Sequence, residues 1–131
     1  MWKNILAVVA GVLTGMIVIG IVEAIGHMVY PLPEGLDPYN TDALKAYMAD
    51  MPVGALLLVL LAWGSGSFIG GWATAMLASR SIRLFSIIVG VVLLAAGIYN
   101  MIMIPHPVWF MILGILIFIP AAYIGSLLVR K

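Results

Sequence analysis

Four long apolar runs dominate this chain, and each is long enough to cross a bilayer. A spanning helix needs about 20 mostly apolar residues. The runs cover residues 5–30, 52–78, 82–104 and 107–129, and the first is interrupted only by Glu23 and His27. Composition closes the soluble alternative. Of 131 residues, 65% are hydrophobic and 8% charged, with mean hydropathy +1.23. A soluble domain is about half apolar and about a quarter charged. The expectation is an all-α integral membrane protein, one domain over residues 1–131, folded as a four-transmembrane-helix bundle. The first run follows Lys3 but is too long for the centre of a secretory signal, and no small-x-small cleavage site follows it. It reads as an uncleaved span.

The charges orient the bundle. Lys3, Arg80, Arg83, Arg130 and Lys131 all fall on one side of a four-span arrangement. The loop over residues 31–51 sets Glu34, Asp37, Asp42 and Asp50 against Lys45, leaving −3. Positive residues mark the cytoplasmic side, so both termini are expected there, in a multi-pass protein of a bacterial inner membrane. Trp2 and Trp72 then stand toward one interface, and Tyr30, Tyr99 and Trp109 toward the other. Trp63 lies about eleven residues into the second span, near mid-bilayer. Its indole either packs against a neighbouring helix or lines a ligand cavity.

The loop carries its own structure. Pro31, Pro33, Gly35 and Pro38 exclude regular helix at its start. A short amphipathic helix follows. Thr41 or Asn40 caps it, Asp42 complements its positive end, and Leu44, Tyr47, Met48 and Met51 form one apolar stripe. Such a helix lies on the outer membrane surface or caps the bundle. Pro52 is placed at the favoured first position of the next helix.

Small residues recur at four-residue spacing, as in Gly11 and Gly15, Gly66 and Gly70, and Ser67 and Gly71. That spacing lets backbones approach closely in lipid, either inside one bundle or between subunits. Pro120 interrupts the fourth span and predicts a bend, with a gating hinge as the alternative.

Ionisable groups inside a span usually face the bundle interior or a watery cavity. Glu23 and His27 are four apart and share a helix face. Asn100 and His106 lie at comparable heights, and with Trp63 these residues form a candidate polar cluster. Three uses compete: a proton or cation site at Glu23, a metal site of His27, His106 and Glu23, or a hydrogen-bonded packing pair, Glu23 with His27 or with Asn100. The metal reading has acceptable ligand types but no recognised metal spacing. The chain has no cysteine, hence no disulfide, thiolate metal site or cysteine nucleophile. No Walker loop, dinucleotide fingerprint or zincin helix is present. Neither catalysis nor a cofactor is expected, and the net charge of +1 argues against a nucleic-acid partner.

Two resemblances follow from particular residues. Glu23-Ala24-Ile25-Gly26-His27, Tyr30 to Pro38, the glycine-rich second span and Ile104-Pro105-His106-Pro107-Val108-Trp109 resemble a group of small four-span bacterial inner-membrane proteins. That resemblance covers nearly the whole chain and implies no activity. Glu23-Ala24-Ile25-Gly26 alone resembles the first helix of the small multidrug resistance transporters, whose glutamate binds protons and cationic substrates in turn. The resemblance implies that role for Glu23 only. Here Glu23 lies off the midplane, the outer loop is long and acidic, the charge bias is strong, and the later spans do not match. The first expectation is therefore a non-enzymatic membrane protein, embedded in the lipid bilayer as a homo-oligomer or as an accessory partner of other membrane proteins. The second is a small oligomeric transporter or channel built on the Glu/His site.

Overall fold

Glycine and alanine allow the long apolar segments to meet backbone to backbone, and this sets the architecture. The structure is a computed structural model and describes residues 2–31, 35, 39–104 and 106–130, without the side chains of Thr41, Leu44 and Ala49. Pro33, Glu34, Asp37, Pro38, Pro105, Lys131 and the side chains of Thr41 and Leu44, named in the sequence analysis, lie outside the described residues. Among the described residues there are five helices and no strand: α1 (Trp2–Val29), α2 (Thr41–Ala49), α3 (Val53–Leu77), α4 (Ile82–Met103) and α5 (Val108–Ser126). All but α2 are long and apolar enough to cross a membrane.

The boundaries differ modestly from expectation. Helix α1 begins at Trp2 rather than near residue 5, and the buried Asn4 is tied to the α3–α4 turn. Helix α5 ends at Ser126 rather than 129. There the amides of Leu127, Leu128 and Val129 bond three residues back, at 3.0, 3.3 and 3.2 Å, a tightening common in last turns. Pro52 and Pro107 sit one place before the first helical residue, as N-caps of α3 and α5. The α5 helix continues through Pro120.

Helix α3 is the hub and packs against α1, α4 and α5. Helix α4 packs against α5 and, less extensively, α1; among the described residues α1 and α5 do not meet. The arrangement is a flattened square with α3 and α4 across the short diagonal. The α1–α3 seam is made by glycines. A Cβ at Gly70 would stand 2.7 Å from the Gly11 carbonyl oxygen, and one at Gly66 would stand 2.7 Å from that of Gly15. Gly71 meets the Ala122 backbone in the same way on the α5 side. Gly11, Gly15, Gly66, Gly70 and Gly71 are therefore all occupied in packing within one chain.

The two ends of the bundle differ. Where the α3–α4 turn meets the start of α1 and the end of α5, polar bonds join the helices. Asn4 Oδ1 accepts from the Ser79 amide and hydroxyl at 2.9 and 3.1 Å. Thr74 Oγ1 donates to the Ala7 carbonyl at 3.0 Å, and Ser86 Oγ to that of Gly71 at 2.8 Å. Arg83 donates to the Ser126 carbonyl at 2.8 Å, placing a cation on the negative end of α5. The opposite end is held by apolar contact: Tyr47, Met48 and Met51, at and beside the end of α2, pack onto the core. Asn40 caps α2 by accepting from the Ala43 amide at 3.1 Å, and Asp42 occupies the first turn.

Candidate functional site

The largest aromatic of the core positions the site. Trp63 on α3 is 4% exposed. It stands between Phe110 and Phe118 of α5, with ring centroids 5.2 Å from each. The space its ring needs comes from Gly114, where a Cβ would lie 2.8 Å from the indole. The two sequence readings of Trp63 therefore coexist: one side of the indole packs on α5, and another edge borders a cavity.

That cavity, of about 240 Å³, opens between α1, α3 and α4. Its polar lining is Glu23, Trp63 and Asn100, and its apolar walls include Ile19, Leu93 and Phe118. Gly20 of α1 also lines it, and a Cβ built there would meet nothing within 4 Å. The less extensive packing of α1 on α4 leaves this gap.

A second, smaller cavity of about 50 Å³ lies on the α2 side, lined by Glu23, His27, Tyr30, Tyr47, Met51 and Leu58 among others. Tyr30 follows α1 and rests its hydroxyl against Gly54, where a Cβ would require the tyrosine ring to shift. Glu23 is the residue common to both cavities. The Trp63 indole and, one turn on, His27 are the polar neighbours of its carboxylate. Among the described residues no lysine or arginine lines either cavity.

The expected cluster is thus divided. Glu23, Trp63 and Asn100 share the larger cavity, and Glu23 and His27 the smaller. His106 belongs to neither. Its Nδ1 lies 2.6 Å from the Ile104 carbonyl oxygen, which requires a donating N–H there. Its ring stacks on Phe110 at 4.7 Å and 12°. Burial pushes the His106 pKa below its ordinary value, with the Ile104 hydrogen bond opposing. The triad of His27, His106 and Glu23 does not assemble, and among the described residues no three His, Asp or Glu side chains come together. The reason is local: the turn before α5 directs His106 onto Phe110 rather than toward α1.

Tyr30 and Tyr47 are site residues that the sequence reading used only as an interface anchor and a stripe residue. Tyr30 is three residues from His27 and seven from Glu23, so the face shared by those two already pointed to it. Tyr47 required the placement of α2, which no local pattern supplies. No family model, curated protein or solved structure matches the chain.

Proposed function

We propose that this is a non-enzymatic, multi-pass protein of a bacterial inner membrane that binds a proton and a small cation in turn at Glu23, as a small transporter. The observation that carries this reading is the position of Glu23 between two cavities, with His27 beside it and no lysine or arginine among the described residues that line either. A carboxylate that served only packing would be sealed against a fixed partner, because a carboxylate in apolar surroundings is costly unless paired. Glu23 instead borders open space on two sides.

The cavities suit different visitors. A buried water needs roughly 10–15 Å³ of such space and two to four polar partners. The smaller cavity has room for a short water chain, and the Glu23 carboxylate, the His27 ring and the hydroxyls of Tyr30 and Tyr47 offer partners. Protons reach Glu23 by this route from the face carrying α2, which is the outer face in the orientation set by the charges. The larger cavity is mostly apolar, with an indole and a carboxamide beside the carboxylate. It suits a ligand with one cationic or hydrogen-bonding group on an apolar body. Four helices leave little room for a path within one copy, so movement across the bilayer belongs to an assembly of copies.

The test is flux in liposomes. Purified wild type should dissipate an imposed pH gradient in the presence of a membrane-impermeant quaternary ammonium cation, and Glu23→Gln should abolish that flux while keeping its fold. Equal rates for the two proteins would refute a proton-linked role.

A further inference from the structure

A third concavity lies at the opposite end of the bundle from the α2 helix, far from Glu23. It is a groove of about 490 Å³ on α1, closed on one side by Leu77 of α3. Ala7 and Ala10 leave it open through their small side chains, Leu6, Val9 and Leu13 line its length, and Trp2 and Lys3 stand at its mouth. Among the described residues Lys3 is the only charged one in its lining.

From these features we infer that the groove is a binding site for one anionic glycerophospholipid of the adjacent leaflet. Length is the first argument. From Trp2 to Leu13 the helix rises about 16 Å, and one leaflet contributes about 15 Å of hydrocarbon, half of the roughly 30 Å core. The groove therefore runs from headgroup level to the bilayer midplane, the path of a single acyl chain. Charge is the second argument. An ammonium at the mouth, beside an exposed indole that favours the interface, favours a headgroup of net negative charge over a zwitterionic one, whose own ammonium offsets its phosphate. The Asn4–Ser79 bonds tie the α3–α4 turn to α1 one residue beyond Lys3. They bring the exposed Arg80, next in sequence to Ser79, to the same end of the bundle. Arg83 is already engaged with Ser126 and takes no part. The site is independent of Glu23.

Native mass spectrometry of the full chain, released from mixed micelles with equal phosphatidylglycerol and phosphatidylcholine, tests the site. Wild type should retain one phosphatidylglycerol in preference to phosphatidylcholine. Lys3→Gln should cut that preference about fivefold, the worth of one basic residue near an anionic surface. Arg130→Gln, which removes an equal charge outside the groove, should leave it unchanged. Ala10→Phe should displace the lipid with Lys3 intact, and circular dichroism would certify the fold of each variant. Equal retention of the two lipids by wild type, or equal losses in Lys3→Gln and Arg130→Gln, would overturn the site in favour of diffuse attraction to the membrane surface.

Discussion

The hydroxyl of Thr74 on α3 donates to the carbonyl oxygen of Ala7 on α1 across 3.0 Å, and both residues are almost wholly buried. This bond links the helix that carries Glu23 to the helix that carries Trp63, well away from either. With Asn4–Ser79, Ser86–Gly71 and Arg83–Ser126 it leaves one end of the bundle fixed, while α1 and α4 stand apart around the larger cavity.

Thr74→Val keeps the shape and removes the donor. It should destabilise by about 0.6–1 kcal/mol, the range measured for interhelical hydrogen bonds in membranes and in proteins generally. Ser67→Ala provides the contrast. The Ser67 hydroxyl is fully buried with no hydrogen-bond partner among the described residues, so its removal should be neutral or stabilising. Thermal unfolding in detergent compares the two, and equal losses would deny the Thr74 bond its role.

Gly70→Leu should disrupt the fold, because even a Cβ there would press on the Gly11 carbonyl oxygen, 2.7 Å away. Gly20→Leu, on the same helix face as Glu23's approach to the larger cavity, should leave stability near wild type, since a Cβ at Gly20 meets nothing. Size-exclusion profiles and unfolding curves separate these outcomes. A stable Gly70→Leu variant would mean that α1 and α3 are not in backbone contact.

The apolar runs, their number and the short α2 helix were legible because each depends on local composition and spacing. Asn40, Asp42, Tyr47 and Met48 carry the α2 signal within a few residues. The division of the polar cluster was not legible. Glu23 and His27 share a face by helical geometry alone, but whether Asn100 or His106 meets them depends on how α4 rotates and where the turn before α5 points. Asn4, Ser79 and Ser126 passed without notice for the same reason: their partners are 43 or 75 residues away, and tertiary packing alone brings them together.

His106 predicts a pH dependence whose sign follows from its burial. An unperturbed imidazole titrates near 6.5, and burial holds that of His106 lower in the folded protein. Below about pH 6.5 the unfolded chain therefore binds a proton that the folded chain resists, and stability falls as pH falls through that window. The contribution is fully present above 6.5. Unfolding temperatures measured from pH 7.5 to 5.5 should drop more for wild type than for His106→Gln, and parallel curves would contradict the assignment.

Orientation is checked by single cysteines, which the absence of native cysteine makes unambiguous. A membrane-impermeant maleimide should label Asp42→Cys in intact cells and Ser81→Cys only after permeabilisation. The reverse pattern would invert the topology and place the smaller cavity toward the cytoplasm.

The proposed function requires Glu23 to be a reachable carboxyl beside the cavity between α1, α3 and α4, and a hydrophobic carbodiimide measures this directly. Such reagents partition into lipid and modify protonated carboxyl groups, and peptide mass analysis locates the adduct. Glu23 should be modified in wild type, and Gly20→Leu, which adds bulk to the lining of the larger cavity one turn from Glu23, should slow the reaction at least about tenfold, the effect of roughly 1.4 kcal/mol. A Glu23 that stays unmodified in the wild-type protein, or one that reacts equally fast in Gly20→Leu, would contradict the account.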